Sequence, residues 1–319
     1  MGRFGRGVAA ALALCALGSG ALAQADFARQ QAEQDKVPDT PGDGPYPTTM
    51  GTDPTLGSYV IYRPADLAPL RPGKLGVFIW GNGGCADDGA SSRQHLAEIA
   101  SYGYLVIAPG KWRSGPNARD PRAAPGGPGP DGKFPPPPTS ADDLRKALDW
   151  ALAEDGRADS PYAGLVDHKA IAVGGYSCGG AQAIDVSADA RIGAVVIQNS
   201  GLFNAGGSAM GGSMALGKTA LGRFHTPVLY LLGGPTDIAY PNGTDDFARI
   251  GHVPVVLVNI PTGHGGTYGE PMGGKGARIV IDWLEWQLRG NRQAEKTFIG
   301  EDCSLCRDPD AQIERKNFP

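Results

Sequence analysis

One serine of this chain lies in a sequence context that could make it a nucleophile. Ser177 is the centre of a G-x-S-x-G pattern, GYSCG at residues 175–179, which follows the apolar run Ala170–Val173. With 49 glycines and 14 serines in 319 residues, random placement gives about 0.3 such matches, so the pattern alone is weak. The context says more, because a strand before the serine and a helix after it would project the hydroxyl above the edge of a sheet, between small neighbours.

A serine hydroxyl needs a base to activate it, and the base needs an acid that holds it. At a serine turn of this kind the expected chain order is serine, acid, histidine. Of the five histidines, only His252 and His264 follow a plausible acid. His252 precedes a predicted strand and should lie at the wrong edge of the sheet, so we interpret it as structural or solvated. His264 follows that strand in a glycine-rich loop, and we predict that it is the base.

Asp237 is the carboxylate best placed to hold that histidine. It follows the apolar run Pro227–Leu232 by a short loop. Asp245 and Asp246 lie further on, where a helix is predicted to start, and they suit the positive end of a helix dipole better. We predict that Asp237 fixes the tautomer of His264 and stabilises the imidazolium without taking the proton itself.

The oxyanion of an attacked carbonyl needs two N–H donors, and removing one typically costs about 100- to 1000-fold in rate. The backbone of Cys178 would supply one donor at the start of the helix that follows Ser177, where negative charge is favoured. We assign the other to Asn82, in the glycine loop after the apolar run Leu75–Trp80. The alternative is that this loop is only a tight connection.

The sequence indicates no metal and no cofactor. The spacing of histidines and carboxylates fits no metal site, and the sequence has no phosphate-binding glycine loop with Lys and Ser/Thr. The hydrophobic content of 41% and charged content of 19% are typical of a globular protein, and the formal net charge of −4 gives no reason to expect nucleic acid or an anionic membrane as partner. We expect a monomer.

The elements that must position these residues are predicted from alternating apolar runs and helical patterns. These favour an α/β protein with a mostly parallel central sheet and helices on both faces. Sites in such sheets lie at the carboxyl ends of the strands. Strands are expected at 58–62, 75–80, 104–108, 170–173, 194–197, 227–232 and 253–258, and helices at 91–101, from Thr139 or Ser140 through Ala151, from near Gly179, and at 277–288. Residues 114–138, with nine prolines and five glycines, are predicted to be an exposed connection.

Both ends of the chain are expected to lie outside the folded domain. Residues 1–23 have the pattern of a cleaved export signal, with Arg3 and Arg6 before an apolar stretch and Ala21–Ala23 as the cleavage site; an uncleaved anchor is the alternative. The stretch Val8–Leu17 is shorter than the roughly 20 residues that span a membrane, so stable membrane insertion is not expected. We expect a mobile arm at 24–50, a catalytic domain at 51–292 and a C-terminal tail at 293–319, in a secreted or periplasmic protein.

Cleavage of the signal would leave four cysteines, Cys85, Cys178, Cys303 and Cys306. An even number suits disulfides in an oxidising compartment, and three pairings are possible. A redox or zinc role for the C-x-x-C pattern at 303–306 is less favoured, because it has no second ligand pair and no thioredoxin-like context.

The assembled pattern resembles the α/β-hydrolase fold, and within it the bacterial polyester hydrolases (cutinase-like) and their dienelactone-hydrolase and acetylhydrolase relatives. The likeness covers about residues 44–290. It rests on GPY at 44–46 before IYRP at 61–64, on WGNG at 80–83, GYSCGG at 175–180, TDIAYP at 236–241 and GH at 263–264. The chain departs from polyester hydrolases in having Cys178 where they favour Met, and Asn82 and Gly83 where they usually carry an aromatic-Thr pair.

The resemblance also implies a disulfide pairing. In this fold the loops that carry Cys85 and Cys178 are neighbours, close enough for the Cα separation of about 4.4–6.8 Å that a disulfide needs. We therefore expect Cys85–Cys178, which would hold both oxyanion donors, and Cys303–Cys306 as a local pair. The alternative is that Cys178 is a small buried thiol.

The connection between the strands at 194–197 and 227–232 is too short for a folded cap domain. We therefore expect an open pocket suited to bulky or polymeric esters. Its candidate wall residues, which could instead be packing residues, are Tyr176, Phe203, Ile238, Tyr268 and Trp112. The expected function is that of a secreted carboxylic ester hydrolase that forms an acyl-enzyme on Ser177. A peptidase or amidase of the same fold and a catalytically silent binding member are the alternatives.

Overall fold

The computed structural model describes residues 29, 31–122, 135–204 and 211–318, which fall into two compact units. The smaller unit contains the described residues up to Asp39 together with Gly115–Asn117. Residues 31–36 in it are helical, and the Asp35 carboxylate accepts a hydrogen bond from the backbone N–H of Gly115. The expected export signal at 1–23 lies outside the described residues.

The larger unit is built on a nine-stranded sheet with the order β1-β2-β4-β3-β5-β6-β7-β8-β9. The six central strands, from β4 to β8, are parallel, and the pairs β1·β2, β2·β4 and β8·β9 are antiparallel. The expectation of a mostly parallel sheet is thus confirmed. The strands are β1 Thr48–Gly51, β2 Tyr59–Pro64, β3 Leu75–Gly81, β4 Tyr104–Pro109, β5 Val166–Tyr176, β6 Ala194–Gln198, β7 Val228–Leu232, β8 Val255–Asn259 and β9 Gln312–Lys316.

Helices cover both faces of this sheet, as the sequence predicts. The α-helices of the larger unit's described residues are α1 Arg93–Ser101, α2 Ala141–Gly156, α3 Cys178–Val186, α4 Tyr240–Arg249, α5 Gly274–Arg289 and α6 Arg292–Glu295. The apolar residues of α2, α3 and α4 pack in one core layer, and those of α1 and α5 pack in another. Successive residues of β3 alternate between the two layers, with Val77 and Ile79 in one and Phe78 and Trp80 in the other, because strand side chains point to opposite faces in turn.

Local signals in the sequence fix the start of α2. The Asp143 carboxylate accepts hydrogen bonds from both the backbone N–H and the hydroxyl of Ser140, each at 2.9 Å. This closes the first turn and satisfies a donor that the helix itself leaves free. Of the two N-caps considered from the sequence, Thr139 and Ser140, the structure therefore selects Ser140.

The folded unit extends further at both ends than the boundaries 51 and 292 drawn from the sequence. Thr40–Ser114 belong to the larger unit. The backbone N–H of Gly44 bonds to the Ser101 hydroxyl at 3.0 Å, and β1 pairs with β2. In the supposed tail, Phe298 is fully buried and β9 pairs with β8. The two edge strands are short and largely polar, so no continuous apolar run marks them in the sequence.

Three glycines allow the first turn of α3 to approach the ends of β3 and β5. A Cβ added to Gly179 would lie 2.0 Å from the carbonyl oxygen of Gly81, and one added to Gly175 would lie 2.2 Å from the carbonyl oxygen of Gly179. Both neighbours are backbone atoms, which cannot turn aside as a side chain can. Glycine at these positions therefore sets how closely the helix sits against the sheet.

The close contact predicts that Gly179→Ala is strongly destabilising. The added methyl would have to displace backbone, and overpacking of this kind typically costs about 1–3 kcal/mol or more. Gly156→Ala is the matched control, because Gly156 ends α2 with no atom within 4 Å of an added Cβ. Urea unfolding should show a large loss of the free energy of unfolding for Gly179→Ala and little change for Gly156→Ala. Equal stability of the two variants would contradict this account of the glycine contact.

Candidate active site

Ser177 lies in the turn between β5 and α3, at the carboxyl edge of the parallel strands. Its backbone has φ +53° and ψ −120°, a conformation that non-glycine residues rarely adopt and that costs energy. Two contacts hold it there: its N–H donates to the carbonyl of Gln198 at 3.1 Å, and its carbonyl accepts from the Ser200 hydroxyl at 2.6 Å. The serine side chain is thus held in a strained turn by the end of the neighbouring strand β6.

The structure brings Ser177, His264 and Asp237 together, as the sequence predicts. His264 Nε2 is 3.0 Å from Ser177 Oγ, and His264 Nδ1 is 2.6 Å from Asp237 Oδ1. The three residues lie on the connections that follow β5, β8 and β7, respectively. An ionised carboxylate only accepts hydrogen bonds, so the proton of a neutral His264 ring is on Nδ1, and Nε2 presents a lone pair to the serine hydroxyl.

Asp237 is buried and accepts four hydrogen bonds. Its Oδ1 accepts from His264 and from the backbone N–H of Ala239 at 2.9 Å, and its Oδ2 accepts from the backbone N–H of Gly233 at 3.0 Å and from Asn199 Nδ2 at 2.9 Å. Burial alone raises the pKa of this carboxyl, but the four donors outweigh it and the pKa lies below its ordinary value. Asp237 is therefore a carboxylate at neutral pH, although only 1% of the residue is exposed.

The loops that carry Asp237 and His264 are also joined through their backbones. The N–H of Gly263 donates to the carbonyl of Gly233 at 2.9 Å, and a Cβ added to Gly233 would lie 1.9 Å from the Gly263 carbonyl oxygen. Gly263 has φ +64°, which favours glycine. The loop after β7 and the loop after β8 therefore touch immediately before His264, and this contact fixes the distance between Asp237 and the imidazole.

The two residues predicted to line an oxyanion hole lie on either side of the glycine contact. Cys178 is the first residue of α3, and the backbone N of Asn82 lies 2.6 Å from where a Cβ on Gly179 would be. The side chain of Asn82 is turned away from solvent, with Nδ2 donating to the carbonyls of Pro109 at 2.6 Å and Ala86 at 3.0 Å. Side-chain hydrogen bonds thus fix the loop in which the backbone N–H of Asn82 lies.

Both cysteine pairs expected from the resemblance are present. Cys85 and Cys178 are bonded with their Cα atoms 5.2 Å apart, and Cys303 and Cys306 are bonded with their Cα atoms 5.0 Å apart. The first disulfide joins the short helical turn that follows Asn82 to the first residue of α3. It is a covalent link between the two segments that carry the proposed oxyanion donors.

Of the five candidate wall residues, three are at least partly exposed. Ile238 is 76% exposed and follows Asp237 directly. Tyr176 is half-buried, with its ring centroid 5.3 Å from that of His264, and burial followed by the charge of Asp237 raises its pKa to about 12. Phe203 is also half-buried. Tyr176 ends β5, and Phe203 and Ile238 follow β6 and β7, so all three belong to the carboxyl edge of the parallel strands.

The other two candidates are buried. Tyr268 is 7% exposed, and its hydroxyl donates to Asn199 Oδ1 at 2.5 Å. Trp112 is 5% exposed, and the guanidinium of Arg119 covers its ring at 4.6 Å from the centroid. The sequence places both after strands but does not show which way they face. Their burial favours the alternative interpretation, as packing residues, and their assignment to a pocket wall stays a prediction.

His95 is a buried polar residue near the site that sequence reasoning missed. The amide nitrogen of Gln198 lies 3.0 Å from His95 Nε2, and the His95 ring lies 5.4 Å from both Trp80 and Tyr268. Burial lowers the pKa of His95 to about 3, so the ring is neutral at physiological pH and accepts a hydrogen bond from Gln198. It is embedded in α1, whose helical pattern gives no sign of a polar contact with β6.

Asn199 is the second residue that sequence reasoning missed. It contacts Asp237 directly, as described above, and also bonds to the loop that carries His264. Its only signal in the sequence is a polar side chain directly after an apolar strand. That signal is too common to single it out.

In the described part of the chain, no group of three or more His, Cys, Asp or Glu side chains is arranged to hold a metal ion. No helix within the described ranges is long and apolar enough to cross a membrane. Comparison with models of known protein families gives no match to this chain, and a search of curated proteins gives none either.

The burial of His95 predicts a pH dependence of stability. Its pKa in the folded state, about 3, lies below the ordinary value of 6.5, so between these values the unfolded chain binds one proton more. The neutral, buried His95 therefore contributes fully to the free energy of unfolding above about pH 6.5, and this contribution is lost as the pH falls toward 3. The loss on reaching pH 5 is about 2 kcal/mol. Urea unfolding at about pH 7.5 and pH 5 should show a smaller loss for His95→Gln than for the wild type.

The control for this experiment is His252→Gln. His252 is exposed, and its ring contacts only the carbonyl of Phe224 among the described contacts. This variant should keep the pH dependence of the wild type. If His95→Gln kept it as well, His95 would not be the group that titrates on unfolding.

Proposed function

We propose that this protein is a serine hydrolase of the α/β-hydrolase fold that cleaves carboxylic esters through an acyl-enzyme on Ser177. The observation that carries the proposal is the chain of hydrogen bonds from Ser177 Oγ to His264 at 3.0 Å and from His264 to Asp237 at 2.6 Å. It lies at the carboxyl edge of a parallel sheet, where such folds hold their sites. The order of the three residues along the chain is also that of this fold.

In the proposed reaction, His264 Nε2 takes the hydroxyl proton as Ser177 Oγ bonds to the ester carbonyl carbon. The carbonyl π electrons move to the oxygen, which becomes an oxyanion. When the carbonyl re-forms, the bond to the alcohol oxygen breaks, and His264 gives its proton to the departing alcohol. Water then attacks the acyl-enzyme with His264 again as base, so that the acid is released and the serine hydroxyl is restored.

Each of the surrounding residues has a role in this scheme. Asp237 stabilises the imidazolium that forms twice in the cycle, and its low pKa keeps it ionised while it does so. The backbone N–H groups of Cys178 and Asn82 would bind the oxyanion. The disulfide Cys85–Cys178 holds the two donors at a fixed spacing, which is the preorganisation that electrostatic stabilisation requires.

An open site and a bulky or polymeric ester are proposed from the connection between β6 and β7. Its described residues contain only short 3-10 helices, Gly212–Ala215 and Lys218–Arg223, and no longer helix. Under this proposal no large cap covers the serine, and Tyr176, Ile238 and Phe203 would contact a substrate that extends beyond the reacting ester. We also propose that the chain is exported and acts as a monomer; its two disulfides favour an oxidising compartment.

The first prediction of this proposal concerns the nucleophile. The protein should hydrolyse p-nitrophenyl esters, and Ser177→Ala should lower kcat by about 10⁴-fold or more, because both the nucleophile and the acyl-enzyme are lost. Ser304→Ala is the control: Ser304 is exposed in the C-terminal segment, and this variant should keep wild-type kcat. An organophosphonate should label Ser177 in the wild type.

The outcomes of this experiment separate the alternatives. Labelling of Ser177 without hydrolysis of any ester, from acetate to long acyl chains, would favour an amidase or peptidase. No labelling and no hydrolysis by the folded protein would favour a catalytically silent binding protein. Hydrolysis that survives in Ser177→Ala would rule out the proposed nucleophile.

The second prediction concerns the disulfide beside Ser177. In the double variant Cys85→Ala/Cys178→Ala, the two oxyanion donors are no longer joined covalently, so kcat should fall by about 10- to 100-fold, less than full loss of one donor would cost. The double variant Cys303→Ala/Cys306→Ala removes the distant disulfide and should keep wild-type kcat. Titration of active sites with the phosphonate separates a lower kcat from a lower folded fraction. A wild-type kcat per site without Cys85–Cys178 would show that the backbone alone fixes the donors.

A further inference from the structure

Asn199 lies directly after β6 and contacts Asp237 and the residue before His264. Its Nδ2 donates to Asp237 Oδ2 at 2.9 Å and to the carbonyl of Gly263 at 3.0 Å. Gly263 is the residue before His264. One side-chain amide therefore bridges the acid itself and the backbone that presents the base.

The orientation of this amide is fixed by Tyr268. The Tyr268 hydroxyl donates to Asn199 Oδ1 at 2.5 Å, so the amide oxygen faces a donor and the amide nitrogen faces two acceptors. A flipped amide would set its oxygen against the Asp237 carboxylate and the Gly263 carbonyl. Each polar atom of the Asn199 side chain thus has a partner of the opposite kind, in a residue that is 3% exposed.

The backbone of Asn199 is strained at the same point. Its φ is +43°, in the left-handed region that asparagine enters more readily than other residues with a side chain. Its N–H donates to the carbonyl of Leu231 at 2.8 Å, which ties it to β7, the strand that leads to Asp237. Backbone strain of this kind persists only where the surrounding contacts enforce it, and it is concentrated at functional sites.

The contacts continue from Tyr268 back to the nucleophile turn. The ring centroids of Tyr268 and Tyr176 are 4.5 Å apart, and those of Tyr176 and His264 are 5.3 Å apart. Tyr176 precedes Ser177. Asn199, Tyr268, Tyr176, His264 and Asp237 therefore form a closed ring of contacts in which each member restrains the next.

We infer that Asn199 is a positioning residue of the proposed hydrolase: its amide, anchored by Tyr268, holds the Asp237 carboxylate and the Gly263–His264 backbone at a fixed distance and orientation relative to each other. The inference rests on the proposed function, which it deepens. Asn199 acts through Asp237 and Gly263 and is not assigned a contact with substrate.

The inferred role has an electrostatic consequence. A hydrogen bond to a carboxylate lowers its affinity for protons, so the Asn199 donor reduces how strongly Asp237 favours a protonated His264. The titratable groups that face Asp237 are His264, Tyr176 and Tyr268. Burial raises the pKa of both tyrosines, to about 12 for Tyr176 and well above the ordinary value for Tyr268. Neither tyrosine ionises in the working range, so a shift in the acidic limb of the pH profile would report on the Asp237–His264 pair.

The test compares two substitutions that remove this donor, one without a charge and one with a carboxyl in its place. Asn199→Gly tolerates the positive φ and removes the donor altogether. It should lower kcat per titrated site by about 10- to 100-fold with KM little changed. Its kcat relative to the wild type should fall further as the pH is lowered, because the acidic limb of its kcat–pH profile moves to higher pH. Tyr268→Phe, which keeps the ring but frees the amide, should lower kcat less.

Asn199→Asp keeps the size of the side chain and places a carboxyl beside Asp237. The added negative charge favours protonated His264 more strongly than loss of the donor alone does, because opposite charges attract. The acidic limb should therefore move to higher pH further than in Asn199→Gly, and the kcat of this variant relative to the wild type should fall more steeply as the pH is lowered. Asn317→Asp is the matched control, since Asn317 also has a positive φ and donates to a backbone carbonyl, that of Val253, outside the site.

Ratios that fall as the pH is lowered in both variants, and more steeply in Asn199→Asp, would support the inference. If the Asn199→Gly ratio were independent of pH, or if kcat per titrated site were unchanged in both variants, Asn199 would have only a structural role and the inference would be overturned. Variants that fail to fold are identified by titration, because kcat is taken per active site, and Tyr268→Phe then decides. A wild type that neither hydrolyses esters nor reacts with the phosphonate would instead overturn the proposed function, independently of Asn199.

Discussion

The geometry of the site depends on backbone segments that touch each other without side chains between them. Beside Ser177, the first turn of α3 rests against the ends of β3 and β5 through Gly81, Gly175 and Gly179. Between the loops that carry Asp237 and His264, Gly233 and Gly263 meet in the same way. Because backbone atoms have no rotamers to adjust, these contacts fix distances between loops that are far apart in sequence. The hydrogen bonds of the serine, histidine and aspartate follow from those distances.

The second layer of organisation is electrostatic. A carboxylate that is 1% exposed would be unstable without donors, and Asp237 has four of them, two from backbone N–H groups and two from side chains. Behind it, Asn199, Tyr268, Gln198 and His95 continue a buried polar layer between the sheet and α1. The Asp237 carboxylate is thus stabilised by buried polar groups, whereas Ser177 itself is only partly buried.

Elements and residues were predicted correctly from the sequence where residue chemistry and hydrophobic periodicity pointed to the same segment. Continuous apolar runs located the central strands to within a few residues, and the chain order of Ser177, Asp237 and His264 located the hydrogen-bonded chain that the structure contains. The disulfide Cys85–Cys178 followed from the resemblance to a known fold. By contrast, β1 and β9 went unrecognised, because polar edge strands lack an apolar run. The orientation of Tyr268 and Trp112 and the contacts of Asn199 depend on long-range packing, which no local pattern reports.

The strand β9 has a consequence for the solution behaviour of the molecule. It covers β8, an apolar strand of the parallel sheet that would otherwise present a row of unpaired N–H and C=O groups to other molecules. The strand β9 is itself short, QIERK, and has exposed charged residues. Charged edge strands resist pairing with another sheet. The C-terminal strand therefore protects the protein against edge-to-edge aggregation, at the end of the sheet next to the strand that carries the histidine loop.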